Sequence, residues 1–223
     1  MNAFQKLAYK CKHLTKSEKL LIAYLPFHLI WYMLLEQINA GDDYYLMHCA
    51  LDDLIPFCEW FIFPYLSWFL YMAVTGLYLL VNDSKGFRNF MLLLWTGFFL
   101  SCLFITFFST GQELRPDVMP RENLAAWIVG LIYAFDTNTN VFPSMHVIGA
   151  LAVAVGIAQS EVLRRYRWVQ ICSPLLCLLI ICATVFLKQH SALDVLGGVV
   201  FFAVAYIIVA VYKKLVAKRM QGV

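Results

Sequence analysis

Along this chain polar and apolar positions fall into long blocks. A polar, lysine-bearing stretch occupies residues 1–19, and an apolar block follows from Leu20 to Ile38. Further apolar blocks are Leu54–Val81, Phe90–Ser109, Pro143–Gln159, Val169–Leu187 and Leu193–Tyr212. A bilayer crossing takes about 17–25 apolar residues, and in lipid a lone segment satisfies its backbone only as a helix. The blocks therefore predict six transmembrane helices, the second tilted or kinked at Pro56 and Pro64. A seventh apolar run, Leu124–Phe135, is too short to cross and predicts an interfacial or re-entrant helix. The first block is too long for a signal-peptide core and lacks a small-residue cleavage site, so it reads as an uncleaved helix. The expected fold is all-α: a polytopic membrane bundle of six helices plus the short interfacial helix, one domain over residues 1–223.

Composition agrees with that pattern. Hydrophobic residues make up 62% of the chain and charged residues 14%, against about 25% charged in soluble domains. A water-soluble globule is thereby excluded. Charge then sets orientation, because Lys and Arg accumulate in cytoplasmic loops. The tail, the loops around Lys85 and Arg164, and the C-terminal segment from Lys213 hold all the basic residues except Arg115, Arg121 and Lys188. Both termini are expected in the cytoplasm. The three remaining cations face outward, where topology does not require them.

The seven cysteines show no CxxC pair or metal-ligand spacing and read mostly as small hydrophobes. Cys49 and Cys58 share the outer side and either pair or stay free. No metal or other cofactor is called for. The expected partners are the bilayer and a membrane lipid substrate, not nucleic acid, and the oligomeric state is open.

His28 lies within the first block and reads as a packed neutral histidine. Asp42, Asp43, Asp52 and Asp53 read as a solvated acidic surface. Glu59 is either structural or part of a substrate path. The informative stretch is Val141-Phe-Pro-Ser-Met-His146, which opens an apolar block. A helix start offers free N–H groups and partial positive charge, which suits a phosphate. Pro143 fits a first turn, Ser144 adds a hydroxyl, and His146 titrates near neutrality.

Two other stretches reach the same outer side. Arg115 follows the third block and can grip phosphate in a planar fork, although an arginine there also suits lipid headgroups. After the fifth block come Lys188, His190, Ser191 and Asp194. Ser191 with Asp194 matches a capping box. Asp194 is equally placed to hold one nitrogen of His190 and free the other for attack. Two histidines, a carboxylate and two cations around a helix start form a phosphoryl-transfer kit.

At these residues the sequence resembles the type-2 phosphatidic acid phosphatase superfamily, whose blocks are KxxxxxxRP, PSGH and SRxxxxxHxxxD. Here Arg115-Pro116, Pro143-Ser144-Met145-His146 and the His190/Asp194 spacing match. The resemblance covers about residues 90–212, the expected catalytic helices. It implies a phosphohistidine mechanism without metal, with His190 as nucleophile, Asp194 as its orienter and His146 as acid. It assigns the phosphate to Arg115 and Ser144. Two family cations are missing, since Phe108 and Ala183-Thr184 stand at their positions. Lys188 is the expected replacement for one, with Gln112 as a further donor. PSMH is similar to the inositol-phosphoceramide and sphingomyelin synthase branch, which transfers headgroups. The expected function is an outer-facing lipid phosphatase acting on phosphatidic acid, a phosphatidylglycerol phosphate or an isoprenyl diphosphate. The alternatives are a lipid phosphotransferase and a non-enzymatic lipid-binding protein.

Overall fold

The computed structural model describes residues 2–39, 41 and 43–221. Asp42 of the acidic loop lies outside them. Among the described residues the helices are α1 (Ala3–Lys12), α2 (Lys16–Ile38), α3 (Ala50–Leu54), α4 (Ile62–Asn82) and α5 (Ser84–Phe107). They continue as α6 (Leu124–Phe135), α7 (Met145–Gln159), α8 (Arg167–Phe186) and α9 (Ala192–Met220). Two-residue strands β1 (Tyr45–Leu46) and β2 (Thr110–Gly111) pair in parallel and tie the two loops together.

Local chemistry sets the helix ends. Thr15 and Glu18 form a capping box at the start of α2. Asp83 accepts the Gly86 amide at the start of α5, and Asn123 accepts the Ala126 amide in α6. The polar, lysine-bearing stretch before the first span carries α1, which has its own capping box between Asn2 and Gln5.

Five helices, α2, α4, α5, α8 and α9, are long and apolar enough to cross a membrane. The protein is thus an integral membrane protein, nearly all-α. The second apolar block does not form one continuous helix. It breaks after Leu54, passes Pro56 and a single 3-10 turn at Glu59–Phe61, and resumes at Ile62. Proline removes a donor and disfavours helix in the residue before it. Pro64 sits in the first turn of α4, where it is tolerated.

The fourth expected span differs most. α7 has 15 residues, about 22 Å at 1.5 Å per residue, against a hydrocarbon core of about 30 Å. It packs on α4, α5, α8 and α9, and its buried residues, from Val147 to Ile157, lie on all its faces. It is a core helix, and its apolar character serves protein contact. Small residues make this possible. A Cβ at Gly149 would lie 2.7 Å from the Trp68 indole nitrogen, and one at Gly97 would lie 2.5 Å from the Ile148 side chain. Ser160 stops α7, donating to Asp83 and accepting the Val162 and Leu163 amides. By contrast α2 is peripheral, with Leu20, Phe27, Ile30 and Leu34 exposed. An exposed apolar face of that extent suits lipid contact.

Candidate active site

α5 and α8 finish at one end of the bundle, and α7 and α9 begin there. The connections at that end carry the polar residues singled out above. α8 closes with a Schellman motif: the Gln189 amide donates to Thr184 O at 3.0 Å and the Lys188 amide to Val185 O at 3.1 Å. Lys188 holds the left-handed position, φ 52°, usually given to glycine. The His190 amide also donates to Thr184 O, at 3.1 Å, so the backbone under His190 is fixed from the helix before it.

α9 starts at once, with Ser191 as N-cap and Asp194 completing the capping box. Asp194 Oδ2 accepts the Ser191 amide at 2.8 Å and faces His190 Nδ1 at 3.4 Å. The same oxygen therefore caps the helix and meets the imidazole. Asp194 is fully buried, and His190 nearly so.

Ser144 caps α7, its Oγ accepting the Val147 amide, while its own amide donates to Asp194 O at 3.1 Å. The starts of α7 and α9 thus lie side by side. Gly198 permits this, because a Cβ there would stand 2.8 Å from Ser144 O. A larger side chain would push against backbone. The result brings the His146 and His190 ring centroids to 5.6 Å. His146 lies between Tyr65 and Trp68, at 4.6 and 4.5 Å.

Both histidines line a cavity of about 790 Å³. Its long apolar part runs between α2, α4 and α5 as far as Leu80 and Phe87, near the opposite end of the bundle. α2 packs on α5 rather than on α4, which leaves this space. His28 lines it midway, packed against Tyr24, Trp95 and Phe98. The polar end carries Asp136, Thr137, Thr139, Asn140 and Gln189 beside the histidines.

The remaining expected ligands stand behind that wall. Arg115 donates to the carbonyls of Asp136 and Thr137 at 2.8 Å each, and to Gln189 Oε1 at 2.6 Å. It also lies over the Tyr133 ring, 4.6 Å from its centroid. Burial pulls its pKa below the usual arginine value, partly offset by Asp136. Lys188 Nζ donates to the carbonyls of Asp52 and Ile55, at 2.7 and 2.6 Å. Gln112 Oε1 accepts the Leu114 amide. Lys188 and Gln112 lie outside the cavity lining, and the described residues of that lining include no lysine or arginine.

Asp52 corrects the reading of the acidic loop. Asp43 and Asp53 are exposed, but Asp52 is buried and caps α9 from outside. Its carboxylate accepts the Ser191 hydroxyl at 2.6 Å, the Ala192 amide at 2.8 Å and the Cys49 amide at 2.8 Å. Burial opposes its ionisation, yet these hydrogen bonds hold its pKa below the usual carboxylate value. With Lys188 it makes a two-way clasp between α3 and the His190 loop. A contact 139 residues apart in sequence leaves no local pattern to read. Glu59 is structural: its carboxylate is buried and holds Arg121 and Asn123 at the start of α6. Cys49 and Cys58 are free thiols.

The geometry provides an imidazole backed by a carboxylate, a second imidazole facing it, and an apolar channel leading away. No curated protein and no solved structure matches the chain significantly. The model of the PAP2 superfamily matches residues 106–220, just over half of the chain, and includes both histidines and Asp194. The chain belongs to the PAP2 superfamily.

Proposed function

We propose that this protein is a multi-pass membrane enzyme that cleaves a phosphate ester of a lipid through a phosphohistidine on His190. The observation that carries the reading is the pairing of His190 and His146 across the polar end of an apolar cavity, with Asp194 behind His190. With the His190 proton on Nδ1, directed at Asp194, Nε2 keeps its lone pair for phosphorus. The carboxylate then stabilises the imidazolium as it forms. His146 protonates the leaving oxygen and afterwards takes a proton from the acceptor. The 3.4 Å spacing to Asp194 tightens as the imidazolium forms on loading.

The amides at the start of α7 and Arg115, once it exchanges a backbone carbonyl for phosphate, supply positive character. The apolar channel takes the chains of the lipid. α7 completes a sixth, short pass inside the bundle, both termini are cytoplasmic, and the site faces outward, in keeping with the distribution of basic residues. Water as acceptor makes the enzyme a phosphatase; an alcohol makes it a phosphotransferase.

The test is to incubate purified protein with lipid phosphates, with and without an alcohol acceptor, in the presence of EDTA. Release of phosphate or formation of a new headgroup lipid, together with an alkali-stable label on His190, is expected. A label on another residue, or no turnover of any lipid, overturns the assignment. Loss of turnover in EDTA with recovery on adding Mg²⁺ overturns the metal-free mechanism.

A further inference from the structure

Gln189 stands at the polar end of the cavity, directly before His190. It lines the cavity and is only 3% exposed. Its backbone is fixed, since its amide and that of His190 both donate to Thr184 O. Its side chain is fixed as well. Arg115 Nη2 donates to Gln189 Oε1 at 2.6 Å. A guanidinium has donors only, so the amide must present its oxygen to Arg115 and turn its nitrogen away. Of the two ways an amide can point, this contact selects one.

The nitrogen, Nε2, has no hydrogen-bond partner among the described residues. The Tyr65 hydroxyl neighbours Gln189, and the Tyr65 ring stacks on His146. The amide therefore stands among the two histidines. A buried donor without an acceptor is costly, and folded proteins rarely tolerate one without a use. The surroundings identify the acceptor it suits. Two family cations are replaced by Phe108 and by Ala183-Thr184. Lys188 is committed to the carbonyls of Asp52 and Ile55, and the described lining residues include no lysine or arginine. The oxygens of a phosphoryl group on His190 still need fixed donors as charge develops on them.

We propose that Gln189 is a catalytic residue, its Nε2 donating to a non-bridging oxygen of the phosphoryl group carried by His190. The inference rests on the phosphohistidine reading and adds a contact to that same site. Arg115 strengthens the contact from behind, because a cation on the amide oxygen makes the opposite N–H a better donor. This bond is separate from the backbone carbonyl that Arg115 exchanges. Gln189 makes and breaks no covalent bond. It holds one oxygen while phosphorus passes from the leaving oxygen to His190 Nε2, and from there to the acceptor.

The experiment compares Gln189→Glu and Gln189→Met in the full-length enzyme, with nitrophenyl phosphate as substrate and inorganic phosphate as competing ligand. Gln189→Glu keeps an oxygen for Arg115 but loses the N–H. Gln189→Met has similar length and carries neither charge nor donor. Both variants, corrected for folded fraction, should lose at least about tenfold in kcat/KM, toward the 10²–10³-fold cost of one oxyanion donor. Both should bind inorganic phosphate more weakly, and both should still label His190, more slowly. A smaller loss in Gln189→Glu would show that Gln189 only holds Arg115. A smaller loss in Gln189→Met would show that added charge, not a missing donor, slows the other variant. Either result alone overturns the proposal and leaves the phosphohistidine intact. A wild-type enzyme that puts no label on His190 removes both.

Discussion

The two histidines and the two nearby cations make an instructive contrast. His146 and His190 face open space, held by aromatic rings and by Asp194. Arg115 and Lys188, from the same loops, are occupied with backbone carbonyls. Residue type and spacing suggested one phosphate-binding set. The structure separates it into groups that face the cavity and groups that hold its walls. A loop carbonyl at a helix end must be satisfied when buried, and a long cation is a ready donor for it.

The largest test of that contrast is His190→Ala, which should abolish both turnover and the covalent intermediate. His146→Ala comes next. Loss of an acid–base group costs about 10²–10⁴-fold in rate. An aryl phosphate needs little help to leave, so this variant should load His190 and stall, giving an acid-labile, base-stable label. A label that turns over normally in His146→Ala would falsify its role.

On the other side of the contrast, Lys188→Ala should act on stability. It leaves the Asp52 and Ile55 carbonyls without a donor, a loss of about 1–3 kcal/mol, seen as a lower unfolding temperature in detergent. Its kcat/KM, corrected for folded fraction, should fall less than about tenfold, well short of the 10²–10³-fold cost of a lost oxyanion donor. A larger fall with unchanged melting would return Lys188 to the phosphate.

The smallest effect concerns Asp136. Its pKa is raised in the folded protein by burial, so folding stability falls as pH rises from the unfolded carboxylate value, about 3.9, through the folded one. Asp136→Asn removes that penalty. The variant should melt higher than wild type at pH 7, with the difference disappearing near pH 4. A difference that is constant with pH would show that the carboxylate carries no such cost.

The fold was legible where a single segment carries its own signal. The apolar blocks located the long helices, and Leu124–Phe135 emerged as the short α6. Block length did not set α7 apart from the lipid-facing helices, because hydropathy does not distinguish a residue facing lipid from one facing another helix. Among site residues, the capping pattern at Ser191 and Asp194 is local and was readable. Asp52 was not, since its partners come from the far end of the chain. Asp136 and Gln189 escaped notice because a turn residue and an amide beside a histidine carry no periodicity. Arg115 and Lys188 were found as residues, but nothing in sequence says which way a long side chain turns.

The clasp between α3 and the start of α9 has a consequence for biogenesis. Two donors to Asp52 come from Ser191 and Ala192, which emerge from the ribosome after every other site residue except Asp194. Until then its carboxylate has only the nearby Cys49 amide, and the His190 loop is held from the α8 side alone. The clasp therefore closes only after the start of α9 has been made, later than α2, α4, α5 and α8. Pulse-chase proteolysis should find the 45–61 segment cleavable in a nascent chain stopped before α9 and resistant once the last helix is released. Early resistance would show that the segment is ordered without α9.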